Sequence, residues 1–180
     1  MRKTLRFLIS LAVALALMLL FRAVGMTIYT IGGDGLKPTF IAGDRVLVNR
    51  WSYGLRVGGG ASDFFSYGRL WRQPVAKGDI VAFEDPSDGN IVICKCKGLP
   101  GDTLEVDGET IVVPGLKDCA DADYYWMEAI SEGNDTDSRL LGFISEEYII
   151  GRVMMVAYSH DPNSRLWEGW RYYRSFMLCQ

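Results

Sequence analysis

Repeated alternation of short β-branched runs with tight-turn residues constrains this 180-residue chain more than any other feature. Ile80 to Phe83 and Ile91 to Lys95 flank Asp88-Gly89-Asn90. Leu104 to Val106 and Thr110 to Val113 flank Asp107-Gly108. Both junctions carry the Asp-Gly signal of a two-strand hairpin, whose turn needs positive φ angles. Arg45 to Asn49 reads as a strand after Ala42-Gly43-Asp44, and Tyr148 to Tyr158 as a late apolar strand with Gly151 as a bulge. Many short strands and little helix predict a mainly β domain, a coiled sheet or barrel. The length suits one domain with a sizeable core and is short for two.

The N-terminus is different in kind. Arg2, Lys3 and Arg6 precede an apolar run from Phe7 to Phe21; Arg22 interrupts it, and Ala23 to Ile31 is again mostly apolar. A cleavable signal peptide would show a basic start and a short apolar core. The stretch after Arg22 has no small-x-small cleavage site, which favours an uncleaved anchor over residues 7–31 with Arg22 snorkelling to the headgroups. The basic residues then place 1–6 in the cytoplasm and 32–180 outside, at the cytoplasmic membrane as a single-pass protein. The net charge of -3 excludes a general nucleic-acid binder. Cys94, Cys96, Cys119 and Cys179 fit no zinc spacing and His160 is the one histidine, so no metal and no cofactor are expected.

Five stretches in order resemble the boxes of the type I signal peptidase family. Gly35-Leu36-Lys37-Pro38-Thr39-Phe40 is similar to its Ser-Met-x-Pro-Thr-Leu box, and Gly43 through Arg56 resembles the next almost residue for residue. Lys77-Gly78-Asp79-Ile80-Val81-Ala82-Phe83 with Pro86 resembles the third, Gly98-Leu99-Pro100-Gly101-Asp102 the end of the fourth, and Asp137-Ser138-Arg139 with Gly142-Phe143 the fifth. Arg22 lies where the family often has an arginine closing its anchor. The resemblance implies a signal-peptidase-like β domain behind one transmembrane helix. It also implies a serine–lysine dyad: a hydroxyl attacks the peptide carbonyl of a secretory precursor, and a lysine kept neutral by burial takes the proton.

Carried onto this chain, the nucleophile position is Gly35 and the general-base position is Cys94. The position of the serine that steadies the lysine is Asp135, and the position that would aid the oxyanion hole is Gly33. None of these keeps the residue the chemistry needs. Alternation along a strand predicts that Cys94 and Cys96 face the site and that Lys95 and Lys97 point away, unless a slip or bulge brings Lys95 round. His160 reads as a turn residue, and Asp34, between glycines, as a turn residue rather than an acid partner of Asp135. Gly33, Asp34, Leu36, Pro38 and Asp137 remain as candidate binding residues. Phe64, Phe65, Tyr67 and Trp71 read equally as a membrane-docking flap or as packing. Trp167, Trp170, Tyr172, Tyr173 and Phe176, interleaved with Arg165, Arg171 and Arg174, read as a C-terminal element docked on the domain. Two functions follow: a non-catalytic groove that binds exported or precursor peptides or assists secretion and surface assembly, and an active signal peptidase with a rewired site.

Overall fold

The computed structural model describes residues 2–58, 67–118, 120–131, 136–165 and 167–179. The chain is mainly β, as its turn spacing predicts. Helix α1 (Arg2–Val24) leads into β1 (Met26–Thr30), and β2 (Asp44–Asn49) pairs antiparallel with it. β3 (Leu55–Val57) and β4 (Gly68–Leu70) form a small separate hairpin. β5 (Ile80–Glu84) and β6 (Ile91–Gly98) are joined through Asp88-Gly89-Asn90, and β7 (Thr103–Val106) and β8 (Glu109–Val112) through Asp107-Gly108. Asp107 and Gly108 adopt φ of 53° and 83°, the two positive angles that turn requires. After them come β9 (Tyr124–Glu128), the single turn α2 (Ser138–Leu141), β10 (Ile144–Ser145), β11 (Ile149–Ser159) and β12 (Met177–Leu178).

One curled eight-stranded sheet carries the domain, in the order β1-β2-β11-β5-β6-β9-β10 with β12 on β11. β11 is its long central member, pairing with both β2 and β5, and its register shifts between Ile149 and Gly151, where the lone glycine suggests a bulge. A Cβ on Gly151 would stand 2.3 Å from the Asn49 carbonyl oxygen, so the strands meet there only because the side chain is absent. Both faces of the sheet are buried. Ile31, Phe40, Val46, Val48, Ile80, Ala82, Ile93 and Val153 pack on one; Tyr53, Val81, Phe83, Cys94, Cys96 and Met127 pack on the other.

The expected anchor over 7–31 needs correcting. The helix stops at Val24, and 26–30 form a strand whose backbone is paired to β2. The β-branched Thr27, Ile28 and Thr30 favour that outcome, and β2 supplies partners for main-chain groups that lipid could not satisfy. Among the described residues no helix is long and apolar enough to cross a membrane. Described apolar side chains of α1, including Phe7, Leu8, Ile9, Leu15 and Leu17, are nonetheless exposed.

Candidate functional site: a groove between two unpaired backbone edges

Where β1 runs out, Ile31 still bonds to β2: its N–H donates to the Asp44 carbonyl (2.8 Å) and its carbonyl accepts from Gly43 N–H (2.9 Å). The chain then leaves the sheet through Gly32, Gly33, Asp34 and Gly35 and returns through a loop closed by Phe40 N–H donating to the Leu36 carbonyl (2.9 Å). Across a gap stands the start of β6. Residues 29–33, 35 and 36 form one wall and residues 90, 91 and 93 the other, around a cavity of about 460 Å³. Ile31, Leu36 and Ile93 give it an apolar floor continuous with the core.

Both walls present backbone that the sheet does not use. β6 pairs with β5 from Ile91 to Lys95, but its pairing with β9 begins only at Lys95. Cys96 N–H donates to Asp79, and Asp85 N–H donates to the Asn90 carbonyl. By the alternation of an antiparallel ladder, residues 90, 92, 94 and 96 therefore turn their polar groups to β5, while those of Ile91 and Ile93 turn to the open side. The same alternation gives the residues at 25, 27, 29 and 31 to β2, and leaves Ile28, Thr30 and Gly32 facing outward. A Cβ on Gly32 or Gly33 would meet nothing within 4 Å, so that wall is low and open.

Gly35, Gly33 and Leu36 line this groove. Asp34 lies beside it on the exposed loop, paired with Lys37 at 2.9 Å, as suits a turn residue. Pro38 is exposed in the same loop and does not line the groove. Asp135, and with it any pairing to Asp34, falls outside the described residues, as do Phe64, Phe65 and Cys119. Asp137 is buried and caps α2: its carboxylate accepts from Arg139 N–H (2.8 Å) and Ala129 N–H (3.2 Å). That is a structural role, remote from the groove's lining.

The expected facing of Cys94 is overturned. Cys94 is wholly buried in the core on the opposite side of the sheet from Ile31 and Ile93, and its thiol donates to the Thr136 carbonyl (3.4 Å). Burial, with a smaller contribution from the Asp137 carboxylate, pushes that thiol up to about 12. Cys96 lies on the same side and is likewise raised to about 12, again chiefly by burial. Lys95, directly opposite Ile80, projects instead from the face that carries Ile93 and the groove, and no slip is needed to bring it there. Because apolar residues cover both faces of β6, hydropathy does not reveal which parity looks into the groove. Tyr29, Ile31, Gly32, Asn90, Ile91 and Ile93 were not singled out by the sequence. The Asp88-Gly89-Asn90 turn was the available signal, since it fixes where β6 starts and hence which residues form its free end.

The remaining candidates lie elsewhere. His160 Nε2 is 3.2 Å from the Arg165 carbonyl and its ring packs edge-on to Trp170. Trp71 stacks on Trp51 with centroids 6.0 Å apart, while the Tyr67 hydroxyl accepts from Arg69 (3.0 Å). The C-terminal segment docks on the domain through β12 and Arg174, as its composition suggests. Among the described residues no group of three His, Cys, Asp or Glu side chains is placed to hold a metal.

The chain is similar in sequence to known proteins. The family model described as signal peptidase, peptidase S26 matches residues 4–126. A signal peptidase I of Rickettsia felis is 29% identical over 114 residues, covering 60% of this chain and 42% of that protein. A signal peptidase IB of Staphylococcus aureus is 30% identical over 116 residues, covering 64% of this chain and 51% of that protein. The chain thus spans about half the length of the curated relatives it matches. With the family match covering residues 4–126, most of the chain and both walls of the groove, the protein belongs to the signal peptidase S26 family.

Proposed function

We propose that this protein is a signal-peptidase-like membrane protein that holds exported or precursor peptides in its groove as an added strand, without cutting them. The observation that carries this reading is the groove itself: two backbone edges that the sheet leaves unused face each other across an apolar floor, with Gly35, which the resemblance matches to the family's nucleophile, in its lining. Edge pairing supplies affinity whatever the peptide sequence, and the floor selects apolar side chains at alternate positions. Catalysis by nucleophilic attack needs a hydroxyl or thiol next to a base. Glycine supplies neither, and Cys94 faces the wrong side with its thiol protonated.

Membrane attachment through α1 is part of the proposal. Its apolar run, Phe7 to Phe21, is 15 residues. At about 1.5 Å per residue that is shorter than a hydrocarbon core of about 30 Å, so attachment relies on the flanking arginines reaching the headgroups. Arg2, Lys3 and Arg6 orient the helix with the β domain outside the cytoplasm. Secretion or surface-assembly proteins would be the partners that hand peptides to such a groove or take them from it.

A second reading, a rewired peptidase, is favoured by one observation: Lys95 projects from the face of β6 that carries Ile93 and the groove floor. One experiment separates the two. Full-length protein in detergent is titrated with a fluorescein-labelled apolar signal-sequence peptide, and the mixture is analysed for fragments. Binding without fragments is expected. Affinity should fall at least tenfold for Gly33→Trp, which fills the groove, and for a peptide N-methylated at alternate amides. Fragments produced by the native protein and abolished by Lys95→Ala would replace the binding reading with the rewired enzyme.

A further inference from the structure

We infer that Arg174 is a positioning residue for the groove: through a brace from the C-terminal segment, it holds the loop that carries Gly35 and Leu36 in place. The inference rests on the groove being the peptide site proposed above. Asp44, at the start of β2, is completely buried, and its carboxylate receives Arg174 Nη2 at 2.7 Å and Nε at 3.2 Å. The same Nη2 donates to the Thr39 carbonyl (2.7 Å), and Ile41 N–H donates to the Asp44 carboxylate (3.0 Å). One turn earlier, Arg171 Nη1 donates to the Ala42 carbonyl (3.0 Å), and its other end pairs with Asp161 at 3.1 Å. Residues 39 and 42 of loop 34–43 are thus tied directly, and residue 41 through Asp44, to a segment about 130 positions away in sequence.

These links reach the groove in one further step. Thr39 is followed by Phe40, fully buried, whose N–H closes onto the Leu36 carbonyl, and Leu36 lines the groove beside Gly35. Phe40 in the core and Gly43 paired with Ile31 hold the far end of the loop, but its entry is weakly fixed. Gly32, Gly33 and Gly35 leave its entry conformationally free, and the Asp34–Lys37 pair is exposed and worth little. The brace is itself anchored, because β12 pairs with β11 and Phe176 N–H donates to the Val156 carbonyl (2.8 Å). It also lies beyond residues 4–126, the part matched by the family model.

The test uses the full-length protein, the same labelled peptide, and hydrogen exchange resolved to single amides. Arg174→Ala is expected to weaken peptide binding tenfold or more and to speed exchange at Phe40, Ile41 and Gly43, while amides of β5 and β6 keep their protection. Ethylguanidinium added at millimolar concentration should restore affinity to Arg174→Ala, and Arg174→Lys should retain an intermediate affinity. Arg165→Ala, whose side chain takes no part in the brace, should match the native protein. Native-like binding and loop exchange in Arg174→Ala would overturn the inference. Loss of protection across β5 and β6 as well would also overturn it, in favour of a role in holding the whole fold. If the native protein fails to bind the peptide, the functional proposal falls, and the brace is then judged on loop exchange alone.

Discussion

The thiol of Cys94 is buried and donates to the Thr136 carbonyl, and burial keeps it protonated to about pH 12. The ordinary thiol titrates near 8.5–9, so the sign of the linkage is definite: stability from this site is complete below about pH 8.5 and is lost as pH rises from there towards 12. Urea titrations between pH 8 and 11 should show that loss, and Cys94→Ala should reduce its slope. For the same reason, iodoacetamide at pH 8 should label Cys94 and Cys96 far more slowly in the native protein than in urea. Restoring the family's lysine is expected to fail here. Cys94→Lys would put an ammonium among Tyr53, Val81, Phe83 and Met127, costing on the order of several kcal/mol or forcing the amine to lose its proton. A chemical-denaturation midpoint checks this directly. The positions 35 and 94 were legible from flanking boxes, but their facing was not. A strand buried on both sides carries no alternation to read, and only its register with β5 puts Ile93 and Lys95, not Cys94, on the groove side.

Elements built by local chemistry were readable; those held by distant partners were not. Asp-Gly turns located β5, β7, β8 and the start of β6 to within a residue, though β6 runs on past the expected Lys95 to Gly98, and Gly151 marked its bulge in β11. β1 escaped because its apolar, β-branched residues continue the hydropathy of α1, and only pairing with β2 makes them a strand. The brace escaped because an arginine at 174 gives no local hint of a carboxylate at 44. Gly43 shows how tightly these elements meet: its φ is 92°, and a Cβ there would come within 1.9 Å of the His160 carbonyl oxygen. Gly43→Ala should therefore cost about 2–4 kcal/mol, read as a lowered denaturation midpoint, since strain and a backbone clash act together. The Asp44–Arg174 contact should also fail in acid. Burial alone would raise the Asp44 carboxyl, but bonds from Arg174 and from Ile41 N–H help hold the group below the usual carboxylate range. Its contribution is present above about pH 4 and disappears as pH falls through the depressed value. Tail release, followed by exchange at the amides of β12, should accordingly occur only below about pH 4.

For the molecule as a whole, the arrangement is a β domain with its groove at one end of β1 and a helix with exposed apolar side chains at the other. If α1 attaches the protein to a bilayer, full-length protein should float with lipid vesicles and resist extraction by alkaline carbonate. Recovery in the soluble fraction after carbonate would remove membrane attachment from the proposal and leave the groove reading untouched. Fold class was the most legible property at this scale, because turn spacing and box order both follow from the chain's local residues. Activity was less so, because it depends on which side chains meet across a gap. The gap has a material consequence. Backbone lines left open at Ile28, Thr30 and Gly32 and at Ile91 and Ile93 are templates for any extended chain, a second molecule of this protein included. An unfilled groove is thus a seed for self-association, and a bound peptide is its plug: concentrated stocks should stay clear longer with a tight ligand present, and turbidity over days would report occupancy without any label.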